Sequence, residues 1–369
     1  MLNLDSFKDS DCDLLIQKVA RKFAPIFLNS GYTNEDKRAV YRYFFSQKPR
    51  KLPPSLKNRL INLYDPLADR TKRFPDGLRF CLNVYVGCEH ACKYCYVNGY
   101  SQESVWHSPH AKSDFRKNLV KDMNECKNFS VPAAPLHLSN STDICQEALE
   151  TKYRNTLFAL DKISEFRSLF SSVVLLTKNP KILCGREYLS LLSMQSMKPI
   201  VVQVTCAFWR DEVRKFYEPD APSVANRLQS IKFLIENGID IEMRIDPLFP
   251  SSEIEYEARS HRPLGDYSLP EAQSRDDLIH LVQSAKESGI KTIIGKPLKI
   301  PVSNQAEKAK NMFGELFRES FPGRNRTVQG GSWRLPEKYQ RSILLSAAAI
   351  CKGEGIRFKF CKHDVLTRR

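Results

Sequence analysis

The chain has 369 residues, of which 42% are hydrophobic and 27% charged, and these proportions exclude a disordered chain, a collagen and a disulfide-stapled miniprotein. Lys and Arg outnumber Asp and Glu by 57 to 42, a net charge of +15, which favours either a polyanionic partner such as nucleic acid or a solvated basic surface. No apolar run is long enough for a transmembrane helix, and the acidic N-terminus lacks the apolar region of a signal peptide. We therefore expect a cytoplasmic protein without a membrane partner.

The first 55 residues are predicted to form a helical N-terminal extension. Leu14, Leu15, Val19 and Phe23 follow helical spacing, and Thr33 with Asp36 resembles a capping box that opens a second helix. The proline-rich residues 48–55 then predict a linker.

From residue 79 onward the pattern predicts strands that alternate with helices. The predicted strands are 79–86, 135–139, 172–177, 199–205, 239–246 and 290–295. Six such units in series predict an α/β fold with parallel strands, as in a partial (β/α)6 barrel of the TIM type. Residues 301–369 are predicted to form a small C-terminal α+β extension with a helix near 336–352 and a strand near 355–360.

Three amphipathic helices are predicted between the strands. One carries an apolar stripe from Tyr153 to Phe170. A second runs from Ser223 to Asn237 and ends at Gly238, and a third is capped by Ser274 with Asp277 and ends at Gly289.

The positive charge is concentrated in two segments. Residues 42–79 contain ten Lys or Arg against three Asp or Glu, and residues 324–369 contain eleven against three. If the partner is a nucleic acid, these are the segments expected to contact it. Within the second segment, basic residues interleave with an aromatic one, which suits a nucleic-acid groove or an ordinary surface loop: Arg324, Arg326, Gln329 and Trp333.

The strongest chemical motif is GCEHACKYCY at residues 87–96. Cys88, Cys92 and Cys95 have C-x3-C-x2-C spacing and directly follow the first predicted strand, which places them at the C-terminal mouth of a barrel, where active sites form. Three thiolates on one loop can hold three irons of a 4Fe–4S cluster and leave the fourth iron open. The odd total of eleven cysteines fits a reducing compartment.

The alternative for this loop is a zinc site completed by His90, His107 or His110, although the triplet spacing is unusual for zinc. Tyr96 follows the third cysteine, and a ring beside an open iron can pack a purine. Cys351 and Cys361 either join a second metal site or are separate thiols.

At these residues the chain resembles the radical S-adenosylmethionine (radical SAM) superfamily, and within it the family related to spore photoproduct lyase, a light-independent DNA repair enzyme. The resemblance covers about residues 78–300. Beyond the cysteines it includes further segments in the family's order: Asn140 to Asp143, Thr177 with Lys178, Glu218 to Ser223 with Arg227 and Leu228, and Asp246 and Pro247 with Pro250.

The resemblance implies a radical SAM core at residues 75–300, with a 4Fe–4S cluster and S-adenosylmethionine as cofactors. Such an enzyme would cleave S-adenosylmethionine reductively and generate a 5′-deoxyadenosyl radical that abstracts hydrogen from the substrate. It would require an electron donor such as flavodoxin or ferredoxin. The implied reaction is the repair or modification of a nucleic acid, and the alternatives are modification of a peptide or protein, or a non-catalytic iron–sulfur module.

Several residues are candidates for the cofactor site. The segment that matches the family's S-adenosylmethionine contacts follows the second predicted strand, although these residues also suit a turn and a helix cap: Ser139, Asn140, Ser141, Thr142 and Asp143. Lys178 is either the partner of the S-adenosylmethionine carboxylate or a solvated strand-end lysine.

Two charged residues alternate with isoleucines on strand 239–246. Arg244 and Asp246 should therefore point into the barrel mouth, where they pair with each other or contact S-adenosylmethionine or substrate. Glu218 and Arg227 are expected to form a structural pair.

The hydrogen-donating cysteine of spore photoproduct lyase matches Asn140 of this chain, so the lyase reaction itself is not predicted. Cys145 is the candidate that could take over this catalytic role. It lies at the start of a predicted helix, where the pKa of a thiol is lowered. The alternative is a small buried residue that packs against the next helix.

Overall fold

The computed structural model describes residues 60–64, 79–99, 108–128, 133–194, 197, 199–251, 253, 264–301, 313, 316 and 332–361. The helical extension predicted for residues 1–55 lies outside these ranges, as do His107 and the segment from Arg324 to Gln329. Basic segment 42–79 is described only at residues 60–64 and at Arg79.

An eight-stranded sheet forms the centre of the described chain. Its strands are β1 (Ile61–Tyr64), β2 (Arg79–Leu82), β5 (Ala134–Leu138), β6 (Phe170–Thr177), β7 (Ile200–Thr205), β8 (Ile241–Leu248), β9 (Thr292–Pro297) and β12 (Arg357–Phe360), and they are neighbours in this order. β1 pairs antiparallel with β2, and every later pair is parallel. The predicted α/β class with a partial barrel is confirmed.

The C-terminal part contributes one strand more than the six predicted for the barrel. β12 is the strand predicted near 355–360, and it pairs parallel with β9 from Arg357 opposite Thr292 to Phe360 opposite Gly295. It therefore extends the parallel run to seven strands. The approach is close, because a Cβ placed on Gly295 would lie 2.3 Å from the Phe358 ring.

Four short strands form two small antiparallel pairs outside the sheet. β3 (Tyr85–Val86) pairs with β4 (His110–Ala111), and β10 (Lys299–Pro301) pairs with β11 (Ser332–Arg334). The single strand predicted over residues 79–86 is thus two strands, of which only β2 belongs to the large sheet. The chain leaves the sheet at Asn83, whose side-chain oxygen accepts the backbone N–H of Ser141 at 3.2 Å.

Eight α-helices connect and cover the strands in the described parts. They are α1 (Phe115–Asn128), α2 (Glu147–Tyr153), α3 (Asn155–Glu165), α4 (Arg186–Ser193), α5 (Asp211–Tyr217), α6 (Val224–Glu236), α7 (Arg275–Glu287) and α8 (Glu337–Gly353). α6 begins after Ser223, whose side chain accepts the N–H of Asn226, and α7 begins with the predicted capping box of Ser274 and Asp277. None of these helices is long and apolar enough to cross a membrane.

The helix predicted from Tyr153 to Phe170 is wrong at both ends. Arg154 adopts a left-handed backbone conformation with φ +51°, which ends α2 and begins α3. Glu150 caps the new helix, because its carboxylate accepts the N–H groups of Thr156 at 3.0 Å and Leu157 at 3.1 Å. Phe170 belongs to β6. This break divides the predicted helix into α2 and α3.

The alternation along β8 shows how the sheet separates its two faces. Ile241, Met243 and Ile245 are buried in the apolar core, whereas Arg244 and Asp246 line a cavity at the end of the strand. Parallel strands have their carboxyl ends at one edge, so the loops that follow β2, β5, β6, β8 and β9 meet there. This edge carries the candidate site.

Candidate functional site

One cavity gathers nearly all the residues proposed from the sequence. It is lined by the three motif cysteines and by residues from the ends of five strands, namely Cys88, Cys92, Cys95, Tyr96, Ser139 to Asp143, Thr177, Lys178, Thr205, Arg244, Asp246 and Lys299. Residues more than two hundred positions apart in the sequence therefore line the same cavity.

Backbone and side-chain hydrogen bonds hold the cysteine loop in place. The N–H of Lys93 donates to the Tyr217 carbonyl at 2.9 Å, and the N–H of Cys95 donates to the Cys92 carbonyl at 3.1 Å. At the start of the loop, the N–H of Glu89 donates to the Gln146 side chain at 2.9 Å. Contacts with Tyr217 and with Gln146 thus hold the loop from two sides.

The three thiols are free and mostly shielded from solvent. Burial raises the pKa of Cys92 to about 12, while the nearby Lys178 ammonium opposes that rise. Burial likewise raises the pKa values of Cys88 and Cys95, opposed by backbone N–H groups of His90 and Val97. These donors and cations favour the thiolate form that metal binding requires.

Glu218 is the hub that connects the loop to the rest of the site. Its carboxylate accepts hydrogen bonds from Tyr94 of the loop and from Arg227 of α6, and it lies 3.8 Å from the Lys178 ammonium. Glu218 and Arg227 are both fully buried. The structural pair predicted from the sequence is confirmed, and it also includes Tyr94 and Lys178.

The segment from Ser139 to Asp143 curves along the cavity wall. Ser139 has a positive φ of +62°, and its N–H donates to the Leu82 carbonyl at 2.8 Å. The side chain of Thr142 donates to the Ser139 hydroxyl at 3.3 Å. These contacts hold the segment in a turn, and its residues line the cavity.

Asp143 has most of its hydrogen-bonding capacity satisfied by the protein. Its oxygens accept from the Thr177 hydroxyl at 2.7 Å, the Lys178 N–H at 2.6 Å and the Cys145 N–H at 2.8 Å. Burial would raise the pKa of this carboxyl, but His90 and these hydrogen bonds lower it to about 2. Asp143 therefore joins the β5 loop to the β6 end.

His90 lies between the first two cysteines and is 2% exposed. Its Nε2 atom lies 3.1 Å from Oδ2 of Asp143, and the contact lowers the pKa of that carboxyl, although neither ring nitrogen makes a hydrogen bond of good geometry with the described residues. The contact is thus an electrostatic one between the cysteine loop and Asp143.

On the other side of the cavity, Arg244 and Asp246 face inward as predicted. Nη2 of Arg244 donates to Asp246 at 2.8 Å, and Nη1 donates to Gln203 at 2.8 Å. Lys296 lies 3.7 Å from the same carboxylate. Burial would raise the pKa of Asp246, but Lys296 and Arg244 lower it below its usual range, so this carboxylate is negatively charged.

Tyr96 lies between the two sides of the cavity. Its hydroxyl donates to the Asn140 carbonyl at 2.6 Å, and the Lys299 ammonium lies 3.7 Å from the ring centroid. The ring lines the cavity, and Lys299 lies over it. The packing of a purine against this ring stays a prediction.

Cys145 does not line the cavity and is fully buried. Burial and the charge of Asp143 raise the pKa of its thiol well above the ordinary value, so the lowered pKa predicted for a helix start is wrong. The reason is that Cys145 precedes α2 inside the core, where desolvation outweighs the helix dipole. Its role as hydrogen donor stays a prediction.

The remaining cysteines are separate. Cys351 is buried in α8, whereas the Cys361 thiol lies 3.8 Å from Nη2 of Arg244 at the end of β12. Asn140 donates to the Cys81 thiol at 2.8 Å. Among the residues that the structure covers, no three or more Cys, His, Asp or Glu side chains are arranged to hold a single metal ion.

Sequence reasoning missed the lysines of the cavity wall. Lys299 lines the cavity and Lys296 reaches Asp246, and both follow from the segment GKPLKIP at the end of β9. The available signal was their position after the predicted strand 290–295, since residues at the ends of barrel strands lie at the functional edge.

The chain is similar both to proteins known by sequence and to proteins of solved structure. No family model matches the chain. An uncharacterized protein of Methanocaldococcus jannaschii, MJ0683, is 26% identical over 198 residues, which are 52% of this chain and 69% of that protein. ORF301 of Acidianus two-tailed virus, also uncharacterized, is 21% identical over 293 residues, covering 78% and 92% of the two chains.

Among solved structures, the chain is similar to spore photoproduct lyase. The lyase complexed with dinucleoside spore photoproduct matches with a TM-score of 0.55 at 11% identity, covering 79% of this chain and 81% of the lyase. A double mutant of the lyase with bound AdoMet and the same dinucleoside matches with a TM-score of 0.54, covering 76% of each chain. The resemblance stated from the sequence is thereby confirmed at the level of the fold.

Proposed function

We propose that this protein is a radical SAM enzyme that acts on a nucleic acid. The observation that carries the proposal is the convergence on one cavity of the three cysteines and the turn from Ser139 to Asp143. The fold shared with spore photoproduct lyase supports the same assignment.

The donor set fits an iron–sulfur cluster better than a single zinc ion. Zinc ligands must lie within about 2.0–2.3 Å of one centre, and the described residues provide no such arrangement. The irons of a cluster are separate atoms, each with its own thiolate, so the thiols can be further apart. Cys88, Cys92 and Cys95 would hold the cluster, and the half-buried Lys178 would balance part of its negative charge.

The remaining cavity residues would hold S-adenosylmethionine and orient the substrate. When bound, the two cofactors supply reductive carbon–sulfur bond cleavage and a 5′-deoxyadenosyl radical. The protein supplies a rigid turn with polar groups at Ser139 and Thr142, a cation at Lys178, and a fixed ion pair of Arg244 with Asp246. Because these groups already have partners, they can orient a ligand without rearranging.

The nucleic-acid part of the proposal is supported by charge. The net charge of +15 and the basic C-terminal segment favour a polyanionic substrate over a neutral peptide. Within that segment, Arg341, Lys352 and Arg357 are exposed in the described part. A peptide or protein substrate is the competing assignment.

The cluster is tested by replacing Cys88, Cys92 and Cys95 with Ala, one at a time and together. We expect the anaerobically reconstituted wild type to hold about four irons per chain and to form 5′-deoxyadenosine. Each variant should lose the iron chromophore and this product. Iron and sulfide analysis together with electron paramagnetic resonance measure the first effect, and chromatography measures the second.

Cys184→Ala is the matched control, because Cys184 is a free thiol outside the cavity. It should retain iron and product at the wild-type level. A triple variant that kept its iron and still formed 5′-deoxyadenosine would refute the assignment of the cysteine loop.

A further inference from the structure

Lys299 lines the side of the cavity formed by the end of β9 and the start of β10, and Lys296 lies next to this side, beside the cavity residue Asp246. Lys299 lines the cavity with its ammonium 3.7 Å from the Tyr96 ring centroid, and the Lys296 ammonium lies 5.7 Å from the same ring. Lys296 is 18% exposed at its side chain. Both positive charges are thus turned inward instead of extending into solvent, where lysine ammonium groups normally lie.

The carboxylate next to these lysines is already paired with an arginine. Asp246 is the carboxylate near Lys296, and it is hydrogen-bonded to Arg244 at 2.8 Å. Within the part of the chain that the structure describes, no hydrogen bond or ion pair engages the Lys299 ammonium; it lies over the π face of Tyr96, and the Asp246 carboxylate offsets only part of the fall in its pKa. The positive charge of an ammonium that is shielded from water and lies over an aromatic ring without an ion pair is poorly compensated.

A third cation lies directly opposite Lys299 in the β10–β11 pair. Lys299 and Arg334 are opposite each other in the β10–β11 pair, and side chains at such positions share one face of the ladder. Like charges in this arrangement repel each other. Consistent with this, burial, Lys296 and Arg334 together lower the pKa of Lys299 to about 7.

We propose that Lys299, with Lys296 beside it, forms a subsite for a phosphate group of the substrate. The inference rests on the proposed function and specifies how that same cavity recognises its substrate. An oxyanion between the two ammonium groups relieves their mutual repulsion and accepts a charge-assisted hydrogen bond from each. The net charge of +15 favours phosphate over carboxylate as the source of the anion, because a polyanion gains from the surrounding field as well.

The test measures binding to the full chain, isolated anaerobically, by isothermal titration calorimetry. The three probes are inorganic phosphate, the dinucleoside monophosphate TpT, and TpT whose phosphodiester is replaced by an uncharged methylphosphonate. Wild type should bind TpT about tenfold more tightly than the neutral analogue. If inorganic phosphate competes with TpT, the site accepts any phosphate group. If it does not compete, the site requires the phosphodiester.

Three variants locate the effect. Lys299→Gln should abolish the preference for charged TpT, and Lys299→Arg should retain it because Arg keeps the charge and binds phosphate. Lys291→Gln is the control, since Lys291 is an exposed lysine at the foot of β9 and should behave as wild type. If Lys299→Gln does not fold, as judged by its thermal transition, Lys296→Gln provides the same comparison.

The proposal is overturned if wild type binds the charged and neutral dinucleosides equally, if it binds neither TpT nor phosphate, or if Lys299→Gln keeps the preference. A loss of S-adenosylmethionine affinity without a loss of phosphate affinity would assign Lys299 to the cofactor and overturn it as well. Iron content and 5′-deoxyadenosine formation by the wild type are measured separately, so failure of the radical SAM assignment is distinguishable from failure of the phosphate subsite.

Discussion

Glu218 has no exposed surface, yet it carries a negative charge. Burial would raise the pKa of its carboxyl, but Arg227 and Lys178 lower it below its ordinary value. The charge is tolerable because two cations and the Tyr94 hydroxyl surround it. A buried ion pair of this kind adds little net stability compared with apolar residues, but the removal of one partner leaves the other uncompensated.

Glu218→Gln should therefore lower the free energy of unfolding by about 3–5 kcal/mol, because the buried Arg227 loses its counter-charge. Denaturant unfolding followed by circular dichroism measures the change. The same substitution in an exposed pair is the control: Glu187 pairs with Arg154, with side-chain exposures of 64% and 46%, so Glu187→Gln should cost less than about 1 kcal/mol. Equal effects at the two sites would contradict this account of the buried hub.

Lys112 shows the opposite situation, a shielded cation for which the described residues provide no counter-charge. Its ammonium donates to the Asn83 carbonyl, and burial lowers the pKa of Lys112 to about 8. Because the unfolded chain binds this proton more tightly than the folded one, the ammonium destabilises the fold below pH 8. That cost disappears as the pH rises from about 8 to 10.5, where the folded protein has already released the proton.

Lys112→Met should thus stabilise the protein at pH 7 by about 1–3 kcal/mol, and the advantage over wild type should shrink as the pH approaches 10. Chemical denaturation of both proteins across this pH range provides the measurement. Lys117→Met, at an exposed position of α1, should show a difference that does not change with pH. A constant difference for Lys112→Met would show that its ammonium is well solvated.

At the level of residues, the sequence predicted where side chains lie better than what they contact. Positions after strands identified Asp143 and Lys178 as cavity residues, because strand ends in a barrel share one edge, and the alternation along strand 239–246 identified Arg244. Their partners depend on loops far apart in the chain. The contacts of Asp143 with Thr177 and of Lys178 with Glu218 have no local pattern that could reveal them.

Among the elements, those with local end signals were predicted well. Ser274 with Asp277 and Gly289 bound α7, and Ser223 with Gly238 bound α6, because caps and left-handed glycines act within one turn. The break at Arg154 was missed because its cap is Glu150, which accepts from N–H groups six and seven residues later. That spacing requires the chain to turn back on itself and leaves no periodic signal.

The contact between β9 and β12 gives a test of the seventh parallel strand. In Gly295→Ala the added methyl group would overlap the Phe358 ring and would lie 3.1 Å from Leu248. We expect a loss of about 1–3 kcal/mol from overpacking, measured by denaturant unfolding. In the Gly295→Ala background, Phe358→Leu should recover part of the loss.

Gly353→Ala is the control for that substitution. Gly353 is the last residue of α8 and has nothing within 4 Å of the added atom, so the change should be neutral or stabilise by less than about 1 kcal/mol. If Gly295→Ala were equally neutral, β12 would not approach β9 as closely as the structure shows.

For the whole molecule, the proposed nucleic-acid partner predicts a specific dependence on salt. The affinity for DNA should fall linearly on a log–log plot, with a slope of about 0.7–0.9 for each phosphate contact. Arg341 and Lys352 are eleven residues apart on α8 and both exposed, so they share one face of the helix. Replacing both with Gln should reduce the slope by up to about 1.8.

Fluorescence anisotropy with a labelled oligonucleotide at several salt concentrations measures these slopes. Lys232→Gln, at an exposed position of α6, is the control and should leave the slope unchanged. Affinity that did not vary with salt, or no binding at low salt, would instead favour a peptide substrate.

The hub at Glu218 also has a consequence for the order in which the protein matures. Tyr94 and Glu218 are 124 residues apart in the chain, so during synthesis at about 5–20 residues per second the cysteine loop leaves the ribosome roughly 6–25 s before the residue that holds it. In that interval the three thiols are on an unsupported segment, open to oxidants and to other metals. If the loop holds the proposed cluster, its site is therefore complete only after Glu218 has emerged, and until then the cysteines depend on reducing conditions or a carrier for protection.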